Sequence, residues 1–83
     1  MKLLYFAWLR TKLGKPGEEL SPPPDVATVG QLLDWLQTLS PAHYAVLADR
    51  RAVRVAVNQD YVGNDHPVRS DDEIALFPPV TGG

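Results

Sequence analysis

The stretch TVGQLLDWLQTLS, residues 28–40, constrains the fold more than any other, because it carries the clearest helical period in the chain. Val29, Leu32, Leu33, Leu36 and Leu39 recur at helical spacing and make one apolar face, with Trp35 beside it. Thr28 is a good N-cap, and Gln31 three residues on completes a capping box. Gly30 weakens the first turn by up to about 1 kcal/mol relative to alanine. Ser40-Pro41 ends this helix and caps a second, short one, with Pro41 at its first position. The chain has 83 residues, enough for one domain with one thin core. One main helix must therefore cover whatever sheet the remainder builds.

The remainder reads as strands and turns. Residues 2–9 contain LLYFAWL, short, apolar and aromatic, which predicts a strand. Gly14, Pro16 and Gly17 mark a turn, and a short strand follows near residues 18–21, so the two form an antiparallel hairpin with a long loop. Residues 21–25, SPPPD, make a stiff polyproline connection. Residues 53–58 alternate with Val53, Val55 and Val57 inward. Asn58-Gln59-Asp60 is turn chemistry, Tyr61-Val62 a brief return strand, and Glu73–Phe77 the last strand. The order β-β-α-β-β, with a short helix after the main one, predicts an α+β fold with a helix across one face of a mixed sheet.

That arrangement leaves an imbalance. The first strand is apolar on both sides, with Leu3, Tyr5, Ala7 and Leu9 on one and Leu4, Phe6 and Trp8 on the other. The last strand places Ile74 and Leu76 on one face and Ala75 and Phe77 on the other. A helix covers only one of these faces, so Phe6, Ala75 and Phe77 are candidates for contact with a partner.

Charge and composition exclude several classes. A net charge of −2 gives no footprint for nucleic acid or an anionic membrane. No apolar run approaches the roughly 20 residues of a membrane span. The opening MKLLYFAWLR has a faint signal-peptide character but lacks a small-residue cleavage site. With no cysteine in so short a chain, a cytoplasmic location is expected, and no thiol side chain is available for chemistry. His43 and His66 have no ligand spacing, so no metal site is expected. Asp71, Asp72 and Glu73 read as a solvated turn, and Arg50, Arg51 and Arg54 as a solvated basic cluster, with docking to an acidic partner as the sharper alternative for the arginines.

The ending ALFPPVTGG asks for a different explanation. Glycine loses the most freedom on ordering and is a poor anchor, while Pro78 and Pro79 stiffen the exit from the last strand. By themselves the two glycines are no more than a frayed end. The whole segment VAVNQDYVGNDHPVRSDDEIALFPPVTGG, however, strongly resembles the C-terminal half of the small, sulfur-carrier subunits of molybdopterin synthase. LLYFAWLR and TVGQLLDWL match more loosely, so the resemblance spans nearly the whole chain. Asp71 stands where that family often has glycine, and Leu76 where an aromatic is common.

The resemblance implies a ubiquitin-like β-grasp domain over residues 1–83, with a flexible tail at 78–83. It implies that the carboxylate of Gly83 is adenylated by a ubiquitin-activating-like adenylyltransferase using ATP, then converted to a thiocarboxylate with sulfur from a donating enzyme. Pro78, Pro79, Val80, Thr81 and Gly82 are then the tail that enters the large subunit, where sulfur passes to cyclic pyranopterin monophosphate to make the molybdopterin dithiolene. A 2+2 heterotetramer follows, in which this chain is a non-autonomous sulfur donor binding no cofactor itself. Two alternatives remain at this level. One is a sulfur carrier for thiamin or another thiolated product, the other a ubiquitin-like protein modifier.

Overall fold

The computed structural model describes residues 1–79. Its elements run β1 (Lys2–Tyr5), α1 (Trp8–Leu13), β2 (Gly17–Glu19), α2 (Val29–Leu36), α3 (Pro41–Leu47), a 3₁₀ turn (Arg50–Ala52), β3 (Arg54–Val57), β4 (Asp60–Val62) and β5 (Glu73–Phe77). The five strands form one mixed sheet in the order β2-β1-β5-β3-β4. β1 and β5 pair in parallel at its centre, and the other neighbours are antiparallel. The α+β class and the mixed sheet are as expected.

α2 forms where its capping predicts. Thr28 Oγ1 accepts from the Gln31 backbone N–H, and Gln31 Oε1 accepts from the Thr28 N–H. The free N–H groups of the first turn are met from the loop after β4, Val29 donating to the His66 carbonyl and Gly30 to that of Asn64. Val29, Leu32, Leu33 and Leu36 are buried against the inner sheet face, with Leu3, Tyr5, Val55, Val57, Ile74 and Leu76. Leu39 departs from the expected stripe, because α2 ends at Leu36 and leaves it 37% exposed. α3 is capped by Ser40, whose Oγ accepts from the His43 N–H.

The first strand is shorter than its apolar run predicts, and the second begins earlier, at Gly17. β1 stops at Tyr5, because Ala7 takes a positive φ of 55° and turns the chain into α1. Trp8 and Leu9 therefore lie on a helix and not on the two faces of a strand. Leu9 and Leu13, one helical turn apart, face the core, with Leu9 fully buried. Gly14 ends α1 in the left-handed conformation, its N–H donating to the Arg10 carbonyl. Three short helices, not one, thus share the cover of the inner face, and α2 supplies most of it. At Gly17 a side chain would collide with the Leu3 carbonyl, which lets β2 lie close on β1.

Candidate functional site

β5 occupies the middle of the sheet and carries the chain toward its C-terminus at one end of it. Its ladder partners fix what surrounds that exit. Residues directly opposite in a ladder share a face, so the register sorts the open side of the sheet. Leu4 stands between Gly17 and Ala75, Ala75 between Leu4 and Ala56, Ala56 beside Tyr61, and Phe77 opposite Arg54. Phe6 continues the alternation beyond β1, its N–H donating to the Leu76 carbonyl at 3.1 Å. Phe6 is 48% exposed and Tyr61 79%. The rings of Tyr61 and Phe77 lie 5.3 Å apart at 40°. Together with Arg54, Val55 and Val62 they line a shallow cavity of about 340 Å³.

The structure thus gathers Phe6, Ala75 and Phe77 on one uncovered face, at the end where the tail begins. Pro78 and Pro79 are half-buried as they leave the sheet. Val80, Thr81, Gly82 and Gly83 lie outside the described residues. Tyr61 belongs to the same patch, although its sequence signal shows only a return strand. The register is what pairs it with Phe77.

The basic cluster separates into individual roles. Arg50 donates to the Leu47 carbonyl at 2.9 Å, Asp34 at 2.8 Å and Gln37 at 2.7 Å, and so ties α2 to the end of α3. Arg51 pairs with Asp49 at the surface. Arg54 is exposed on the open face. The acidic turn before β5 is structural: Asp72 accepts from the Arg69 N–H and from Asn58 Nδ2, and Asn58 Oδ1 accepts from the Glu73 N–H.

A polar network on the inner side is absent from the sequence reading. Tyr5 is buried at the end of β1, and its hydroxyl donates to Glu18 Oε2 on β2 at 2.6 Å. His43 of α3 meets the same oxygen through Nε2 at 2.8 Å. A carboxylate only accepts, so Nε2 carries a proton, and Nδ1 lies 2.7 Å from Ser40 Oγ. Lys15 completes the set, donating to Glu18 Oε1 at 3.0 Å. His43 is thus engaged in fastening edge strand β2 to α3. Burial and the adjoining Glu18 carboxylate push the Tyr5 phenol far above its ordinary value.

For Glu18 two effects oppose. Burial raises its pKa, but the hydrogen bonds donated by Tyr5, His43 and Lys15 outweigh burial and hold it below the usual 4.5. A depressed carboxylate contributes stability above its unfolded pKa and loses it as pH falls through the folded one. Stability is therefore expected to fall as pH drops below about 4.5. Glu18→Gln should flatten that acid limb and cost about 1–3 kcal/mol at neutral pH. Thermal melts of both proteins from about pH 7 to pH 3 check this, and an identical acid limb in the variant would refute it.

Comparison with known proteins agrees with this geometry. The ThiS family model matches residues 3–83. The molybdopterin synthase sulfur carrier subunit of Escherichia coli is 39% identical over 83 residues, covering 100% of this chain and 99% of that protein. The protein of the same name from Arabidopsis thaliana is 34% identical, covering 100% of this chain and 82% of its own length. The small archaeal modifier protein 1 of Haloferax volcanii superposes with a TM-score of 0.75 at 30% identity, covering 96% of this chain and 97% of that one. The architecture is the ubiquitin-like β-grasp, and with a family match from Leu3 to the last residue the chain belongs to the ThiS family.

Proposed function

We propose that this chain is the sulfur-carrier subunit of a molybdopterin synthase, working through the terminal carboxylate of Gly83 and not through a side chain. The observation that carries the reading is the position of FPPVTGG. Phe77 ends the central strand at the uncovered aromatic patch, and six residues follow it. At about 3.3 Å per residue those six reach roughly 20 Å. A partner that docks on the patch is well placed to receive the tail in a deep site.

A terminal carboxyl has a pKa near 3.5, so at neutral pH it is an anion and a poor electrophile. In the proposed sequence its oxygen attacks the α-phosphorus of ATP on an adenylyltransferase and pyrophosphate leaves. The resulting mixed anhydride has AMP as a good leaving group. Sulfur from a donating enzyme then displaces AMP, giving a thiocarboxylate, an ionised and soft nucleophile. The tail next enters the large subunit of the synthase and delivers sulfur to cyclic pyranopterin monophosphate. Gly82 and Gly83 pass a narrow channel without Cβ clashes, and Pro78 and Pro79 limit the freedom lost on insertion. In this scheme the chain needs neither a cofactor nor an acid–base group of its own, works in the cytoplasm, and assembles as two copies on a dimeric large subunit.

Intact-mass spectra test the reading. After incubation with ATP, the activating enzyme and a sulfur source, the chain should show one oxygen exchanged for sulfur, mapped to Gly83. An unchanged mass under conditions that load the Escherichia coli relative would overturn it. The similarity to a small archaeal modifier supports a second reading, attachment to lysines of other proteins. Isopeptide-linked ladders on a blot of native extract would distinguish it.

A further inference from the structure

We propose that Arg54 selects the partner of the open face, by requiring a carboxylate at the point where that partner covers Phe77 and Tyr61. The inference rests on the reading that this face is the docking surface. Three observations lead to it. Arg54 stands opposite Phe77 in the β3–β5 ladder, so its side chain leaves the sheet on the open face, about 5 Å from Phe77 between Cβ atoms. It lines the same cavity as Tyr61 and Phe77. Among the described residues it has no ion-pair or side-chain hydrogen-bond partner, whereas Arg50 and Arg51 are both engaged by neighbours.

The other charges of this face sit differently. Lys2 stands in register between Glu19 and Glu73, at the end of the sheet away from Phe77, where charges of opposite sign alternate across the strands. Arg54 stands instead among Ala56, Tyr61 and Phe77, with no acidic residue directly opposite it. A partner that buries the two rings must also desolvate the guanidinium beside them. A buried charge left unpaired is strongly unfavourable, while a carboxylate receives the guanidinium through two parallel hydrogen bonds. The same apolar patch with and without a matching acid therefore separates a correct partner from a merely apolar one. The position of Arg54 at the tail exit makes this a check on register too, since the acid must sit where the tail enters.

The test is titration of the large subunit of molybdopterin synthase from the same organism with the full chain and its variants. Arg54→Ala is expected to weaken binding about 10- to 100-fold, the range of one charge-assisted hydrogen-bonded contact. Arg54→Gln, which keeps the length of the side chain, should fall in the same range, and Arg54→Glu should be weaker still. Affinity of the wild type should drop between about 50 and 500 mM salt, and that dependence should shrink in Arg54→Ala. Reversing the facing carboxylate of the large subunit to arginine should restore binding by Arg54→Glu, an effect no structural role of Arg54 would give. Phe6→Glu serves as the control for the surface itself. If Phe6→Glu weakens binding while all three Arg54 variants bind as wild type with unchanged salt dependence, the inference is overturned and the docking surface stands. If neither Phe6→Glu nor the Arg54 variants weaken binding, the surface is wrong and the inference falls with it.

Discussion

Deleting Gly83 is expected to reduce sulfur transfer by more than two orders of magnitude while leaving the fold unchanged. The deletion moves the terminal carboxylate back by one residue, about 3.3 Å. A misplacement of about 1 Å at a reacting centre already costs roughly 100-fold in rate, because a near-attack geometry is lost. Adding one residue should fail equally, since the Gly83 carboxyl becomes an amide and the new carboxylate overshoots. Neither change touches the packing: among the described residues the last core side chain is Leu76. Circular dichroism and melting temperature should therefore match wild type, and both variants should still bind the large subunit through the sheet. Their intact masses after ATP, activating enzyme and sulfur source should show no exchange of oxygen for sulfur. A Gly83-deleted chain that still supplied sulfur to the precursor at near-normal rates would remove the carboxylate from the mechanism.

The parts of this fold that could be read from sequence are those whose signal is local. The capping box of Thr28 and Gln31 needs only three residues of separation, and it formed as read. β3, β4 and β5 have β-branched or alternating patterns bounded by turn residues, and they lie close to where those patterns put them. α1 was hidden because Phe6, Ala7, Trp8 and Leu9 continue the apolar run without a polar break. The bend that starts it is a positive φ at an alanine, a residue that gives no turn signal. A weaker signal was present: Leu9 and Leu13 at helical spacing, Arg10 and Lys12 in the last turn, and Gly14 just beyond. The Tyr5–Glu18–His43 network joins residues 13 and 25 positions apart with no motif between them. Only the general rule that a buried tyrosine hydroxyl needs a partner points toward it. The terminal motif was legible for a different reason. Its chemistry resides in the end of the backbone, which no misplacement of an element can disguise.

Phe77→Glu is expected to weaken binding to the large subunit by more than about 100-fold with little change in the stability of the free chain. Burying a phenylalanine fully at an interface contributes roughly 1.5–3 kcal/mol, so its loss alone accounts for about 10- to 150-fold. The substitution also leaves a carboxylate to be desolvated under the partner, which adds a further penalty. In the free chain the balance differs. Phe77 faces the open side of the sheet and the core is made by its neighbours Ile74 and Leu76, both fully or almost fully buried. The lost contact is the one with the Tyr61 ring, worth about 0.5–1.5 kcal/mol. The new carboxylate stands opposite Arg54 in the ladder, and a cross-strand pair of opposite charge returns about 0.2–1 kcal/mol. The fold should survive, with a native circular dichroism spectrum and a melting temperature within a few degrees of wild type. Phe6→Glu, beyond the end of β1, should separate binding from folding in the same way. Titration of the large subunit beside a thermal melt reads both effects. A variant with no native spectrum would make Phe77 a core residue, and a folded variant with undiminished affinity would place the docking surface elsewhere on the molecule.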